Sequence, residues 1–255
     1  MSGDGPAMFA RFAYPPNVLG LCGPDDHAAL LQASSAGGPD ATEQLRHLAG
    51  DFAGAWPYLQ LIAAANGIAD PLDERVVSAY WIGNKLLAAV PAPWLAHEAD
   101  RRFRRIAGRR FEQVSEAVAC GGRPHHNFHV FAVYPWVGLL RADRTGEPLR
   151  VIDRCRIRSG VVGAVDSGSV VVDTTRLEFV GDRLTQRPHR ESLIWQVDGS
   201  RLGAVPQVGD TVALHWDWVC LTLTPVQAAT LESWTVHHLR IANRLLSAES
   251  PLPAA

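Results

Sequence analysis

The sequence predicts an α+β fold: a helical N-terminal domain, then a small OB-like β-barrel carrying a C-terminal helix. Three observations lead there. Helix start and stop signals dominate before residue 123. Beyond it the apolar period falls towards two, with turn residues between short runs. The final stretch returns to spacings of three and four behind a capping box. A chain of 255 residues is long enough for two domains. We expect residues 1–122 as the helical domain, 123–148 as a connecting segment, and 149–247 as barrel plus final helix.

In the first part, Ala33 to Asp40 is rich in Ser and Gly and reads as a loop. Ala41 to Ala65 reads as helix, bent or broken at Pro57. Asp70-Pro71-Leu72-Asp73 is a helix start with Asp70 as the cap. The helix behind it places Val76, Val77, Tyr80, Ile82, Leu86 and Leu87 on one side and stops at Pro91. Trp94 to Cys120 is a third helical piece, ended by Gly121-Gly122. It carries Arg101, Arg102, Arg104, Arg105, Arg109 and Arg110, which read as a solvated face among Glu98, Asp100 and Glu112.

In the second part, Phe128 to Tyr134 has the composition of a strand. Arg150 to Ile157 alternates Val151, Asp153, Cys155 and Ile157, again a strand pattern. Gly160 to Val165 and Ser169 to Asp173 flank Asp166-Ser167-Gly168, a hairpin signal. Ser192 to Val197 and Thr211 to Val219 supply more strand. Thr224-Pro225-Val226-Gln227 is a capping box with Pro in the first turn. Leu231, Trp234, His238, Ile241 and Leu245 then form a stripe that must pack on the rest of the molecule. Ser247 to Ala255 reads as a loose tail.

The formal net charge is -2, with 47% hydrophobic and 20% charged residues. A nucleic-acid or membrane-surface binder usually carries a basic excess, so neither partner is expected. No run approaches the ~18 apolar residues of a membrane span. The four cysteines, Cys22, Cys120, Cys155 and Cys220, are far apart and show no CxxC spacing. A cytoplasmic protein with reduced thiols, free to bind metal, is the expectation.

Three groups of residues could carry chemistry. Cys22 sits between glycines in Asn17-Val18-Leu19-Gly20-Leu21-Cys22-Gly23-Pro24, a turn at a helix start, where a cysteine can have a lowered pKa and an exposed sulfur. Pro124-His125-His126-Asn127-Phe128-His129 holds three imidazoles in five residues. His125 and His129, at i, i+4, share a face in a helix or a strand and can converge on a metal, with His126 pointing elsewhere. The third group is Cys155 with His215. Each group also has a plain structural reading: a tight turn, a strand opening, and a core cysteine with a satisfied barrel histidine.

At Cys155 the sequence resembles a known family. Cys155-Arg156-Ile157-Arg158-Ser159-Gly160-Val161-Val162, then Val170-Val171-Val172-Asp173, then Gly209-Asp210-Thr211-Val212-Ala213-Leu214-His215, then a helix, follow the order seen in HypC/HupF-type chaperones of [NiFe]-hydrogenase maturation. The resemblance covers the last part of the chain. Ser159 stands where that family has Pro, and Cys155 is internal where the family's cysteine is N-terminal. The resemblance implies that Cys155 and His215 meet at one mouth of the barrel. It implies as cargo the iron fragment Fe(CN)2(CO), which suits a soft thiolate. It implies as partners other hydrogenase maturation proteins or the hydrogenase large-subunit precursor. The whole chain is also similar to an uncharacterised actinobacterial family sharing the FAYPPN, CGP, PHHNFHVF and HWDW segments. Two other readings stay open: a metal-dependent enzyme with a His125/His129 site helped by Cys22, and a non-catalytic interaction module.

Overall fold

The computed structural model describes residues 4–36, 38–107, 111–134, 136–140 and 146–248. It is a mixed α and β structure. Helices α1 (Gly5–Val18), α2 (His27–Ala36), α3 (Gly38–Ala49), α4 (Trp56–Ala65) and α5 (Glu74–Trp81) come first. A 3-10 turn (Lys85–Ala89), α6 (Ala92–Ala107) and α7 (Phe111–Ala119) follow. Then come the short α8 (His126–Phe128), a π turn (His129–Val133), α9 (Trp136–Leu139) and α10 (Gly146–Cys155).

The strands are β1 (Arg158–Val165), β2 (Ser169–Val180), β3 (Arg183–Ile194), β4 (Gln196–Val197), β5 (Ser200–Arg201), β6 (Thr211–His215) and β7 (Trp218–Thr222). Five of them join in the order β1-β2-β3-β7-β6, and β6 returns to pair with β1. Val162, Val172, Leu193, Val212 and Leu214 fill the space this sheet encloses. Helix α11 (Pro225–Ala248) closes the chain.

The expected hairpin is present, with Asp166-Ser167-Gly168 between β1 and β2. The capping box is present too: the Thr224 backbone N–H donates to Gln227 Oε1, and the Gln227 N–H donates back to Thr224 Oγ1. On α11, Leu231, His238, Ile241 and Leu245 are buried, as the stripe requires.

Several elements differ from the sequence reading. The segment Ala33 to Asp40 is helix on both sides of residue 37, because Gly38 takes a left-handed backbone (φ +89°) and starts α3 at once. Pro57 opens α4 instead of breaking it; the break lies in 50–55. Asp73, not Asp70, caps α5, accepting from the Arg75 N–H at 2.9 Å. Asp70 instead pairs with Arg46. Helix α5 ends at Trp81 because Gly83 (φ +96°) turns the chain, and Leu86 and Leu87 fall in a 3-10 turn. Trp94 to Cys120 is two helices, α6 and α7. Of the arginine cluster, only the Arg101 side chain lies among the described residues, paired with Glu98.

Phe128 to Tyr134 is helical, not a strand, and Arg150 to Ile157 is mostly the helix α10. Leu149 and Ile152, three apart, face the same small core as Val130, Phe131 and Leu239, so the helical period wins over the alternation. The expected run Thr211 to Val219 is two strands, because Trp216 adopts a left-handed φ of +53° in a tight turn. The long β2–β3 hairpin extends well past Asp173, turning at Gly181-Asp182.

One apolar core runs from Phe9 and Phe12 of α1 through Trp81 to Ala213 and Trp218 of the sheet. The helical half is therefore packed directly on the mouth of the sheet where β6 ends.

Candidate metal centre

Three elements from distant parts of the chain meet under α1. Helix α8 brings His126, the last residue of α10 is Cys155, and the last residue of β6 is His215. One ligand atom from each lies within 4.8 Å of the other two. The His126 Nε2 to Cys155 Sγ distance is 3.9 Å. Bonds of about 2.0 Å to nitrogen and 2.3 Å to sulfur at a tetrahedral angle put those atoms roughly 3.6 Å apart, so only a small closure is needed. Trp81 lies against both imidazoles, with ring centroids at 4.6 and 5.7 Å.

His215 is fully buried, and its Nδ1 is 2.7 Å from the Phe12 carbonyl. A carbonyl only accepts, so Nδ1 carries the proton and Nε2 is a bare lone pair. That Nε2 has no hydrogen-bond donor. A buried imidazole with one nitrogen tied to a backbone carbonyl and the other exposed as a lone pair is the tautomer metals take.

His126 is held at both nitrogens. Its Nε2 is 2.8 Å from the Cys155 carbonyl, and its Nδ1 is 3.1 Å from the Tyr80 hydroxyl. Burial pushes its pKa down to about 4, partly offset by the Cys155 carbonyl. Burial likewise drives His215 well below its ordinary value, and His126 beside it adds to this. Burial raises the Cys155 thiol above its usual range, helped by Cys22 nearby. The cluster is thus neutral throughout. A cation there would reverse the sign of the thiol shift, since a coordinated thiol is deprotonated.

A cavity of about 40 Å³ is lined by the three residues together with Ala13, Phe52, Gly54, Tyr80, Trp81 and others. A second cavity of about 170 Å³ shares Pro16, Cys22, Tyr134 and Cys155 with it and reaches the surface at Leu21 and Glu147. Cys155 therefore lines a cavity that is open to solvent beside the cluster.

The sequence-predicted residues divide as follows. Cys155 and His215 are brought together. His126, expected to point elsewhere, joins them. His125 and His129 do not share a face. His125 precedes α8 with extended backbone, its Nδ1 accepting the Asn127 N–H, and its ring stacks on Trp234 and lies tilted against His238. His129 turns towards Tyr58, whose hydroxyl lies 3.1 Å from Nδ1, and towards Tyr134. The i, i+4 argument fails because the two residues do not lie in one regular element. Cys22 borders both cavities but is not one of the three clustered ligands. Its thiol is pushed up to about 12 by burial, the reverse of the lowered value expected. Cys220 is buried in the core. Tyr80 and Trp81 were legible only as core aromatics, since nothing in their local sequence points to His126.

Fold and cluster define a mixed α/β protein with a buried His/Cys/His group able to hold a metal ion. The chain belongs to a family of unknown function, DUF6390, whose profile matches residues 1–249. Neither a curated protein nor a solved structure matches it. Among the described residues, no helix is long and apolar enough to cross a membrane.

Proposed function

We propose that this protein is an accessory factor of [NiFe]-hydrogenase maturation that holds or delivers the Fe(CN)2(CO) fragment as cargo on Cys155 and His215. The observation that carries this reading is the meeting of these two side chains within 4.8 Å, with Cys155 lining a cavity that reaches the surface at Leu21 and Glu147. The chaperone resemblance pairs the same two residues. The five-stranded sheet followed by a helix also suits an OB-like barrel of that kind. A thiolate and imidazoles are suitable donors for low-spin ferrous iron, and a route to the surface suits a fragment that must leave. The partners would be other maturation proteins or the large-subunit precursor.

The test is purification without oxygen from cells that make a [NiFe] hydrogenase, followed by metal analysis and infrared spectroscopy. Iron with cyanide and carbonyl bands is expected, and both should vanish in Cys155→Ala while the fold persists. Normal hydrogenase maturation in a strain carrying only the Ala variant would sink the reading.

A second reading, a metal-dependent enzyme, has one observation in its favour. Three protein ligands beside a small cavity leave a fourth position open, as catalytic zinc sites do. Zinc without diatomic bands, bound through His126, Cys155 and His215, would favour it. Absence of any metal would leave a plain interaction module.

A further inference from the structure

We propose that Tyr80 is a positioning residue that switches His126 between a backbone-bound and a metal-binding tautomer. This rests on the metal-holding reading of the cluster, whichever metal it takes. A neutral imidazole carries one N–H. With Nε2 at 2.8 Å from the Cys155 carbonyl, that N–H sits on Nε2, because the carbonyl can only accept. His126 Nδ1 is then a lone pair, and the Tyr80 hydroxyl at 3.1 Å must donate to it. In this state the nitrogen nearest Cys155 Sγ is capped by its own proton and cannot bind a cation.

The Tyr80 hydroxyl has a second partner. The Gly54 carbonyl lies 3.3 Å away. If His126 takes the other tautomer, Nδ1–H donates to the Tyr80 oxygen and Tyr80 donates its own proton to Gly54. Every polar atom keeps a partner except the Cys155 carbonyl, and Nε2 is freed towards Sγ and His215. His126 loses one proton at Nε2 and gains one at Nδ1, so its net change is zero. Cys155 releases one proton when its sulfur binds. His215 needs no such change, since its Nδ1–H to the Phe12 carbonyl already leaves Nε2 bare. The cluster therefore has one preset ligand, His215, and one ligand that must be turned on, His126.

Tyr80 is well placed for this part. It is buried, stacks on Tyr58 at 5.7 Å and lies edge-on to Trp81 at 4.6 Å. Its hydroxyl can rotate between two acceptors without moving the ring.

The experiment uses the full chain, zinc as the probe, and Tyr80→Phe, which keeps both ring contacts. Zinc affinity is read by competition with a chromophoric chelator. Nitrogen-15 NMR of the imidazoles reads which ring nitrogen carries the proton. In the natural chain His126 should be protonated at Nε2 without zinc and at Nδ1 with it, while His215 keeps its Nδ1 proton throughout. Tyr80→Phe should weaken zinc about 10–100-fold, the usual effect of losing a partner that orients a metal-bound histidine. Unchanged affinity in Tyr80→Phe, or an Nδ1–H on His126 before zinc is added, would overturn the switch while the metal centre stands. A natural chain that binds no zinc, cobalt or iron would remove the centre itself. The tautomer measurement on the natural chain decides the matter even if the variant folds poorly.

Discussion

Taking the chelator-treated protein from pH 6.5 to 5.5 is expected to remove about 5 kcal/mol of folding stability. The cause is five fully or almost fully buried histidines: His125, His126, His129, His215 and His238. Burial lowers their pKa values to about 3, 4 and 3 for the first three and well below 6.5 for the other two. The folded chain keeps them neutral, whereas the unfolded chain protonates each near its ordinary 6.5. The unfolded state thus binds more protons, and stability rises with pH across this window. Each histidine loses about 1 kcal/mol between pH 6.5 and 5.5, and the loss per pH unit grows somewhat below that. Five together match the lower end of the total stability of a folded domain, about 5–15 kcal/mol. The assay is urea unfolding at fixed pH values from 5 to 7.5, with the slope of free energy against pH giving the protons taken up. Four to five are expected, by roughly this arithmetic, near pH 5.5. An uptake of one proton or fewer would refute the claim that these imidazoles are buried neutral.

Two further outcomes follow from single contacts. Glu191 joins Arg158 and Arg154. Burial alone would raise its carboxyl, but the two guanidinium groups outweigh it and hold the pKa below the ordinary 4.5, so this contribution is complete above pH 4.5 and lost as pH falls through the lowered value. Glu191→Gln should cost about 3–5 kcal/mol by urea unfolding at pH 7, because Arg158 is left buried and unpaired; a loss under about 1 kcal/mol would show the pair is dispensable. Gly54→Ala should fold normally, since its new methyl would meet His129 Nε2 at 3.5 Å and the Tyr134 hydroxyl at 4.0 Å, ordinary contacts. Because Gly54 borders the cavity beside Cys155, that methyl should weaken azide binding to the cobalt-loaded protein at least tenfold; unchanged azide affinity would place the open metal position elsewhere.

Local signals were enough where a few neighbouring residues decide the outcome. The Thr224 capping box and the Asp166-Ser167-Gly168 hairpin rest on contacts within one turn, and the α11 stripe shows in the spacing of its apolar residues within one helix. Nearness of Cys155 to His215 was legible through the resemblance. Their third companion was not. Among three imidazoles in five residues, the choice of His126 depends on an extended backbone at His125, a single turn of α8 and the π turn behind it. Those in turn depend on long-range partners: the Asn127 side chain holds both backbone groups of Ile157, and Tyr80 and Tyr58 take up His126 and His129. The same dependence made α10 resemble a strand, because Val151, Asp153 and Cys155 alternate while Leu149 and Ile152 keep the helical spacing. A short apolar run is compatible with both periods, and the core it packs on makes the choice. The sequence alone determined the elements with local caps and turns; the tertiary structure decided which histidine faces the sulfur, because that direction is set by hydrogen bonds to residues remote in the chain.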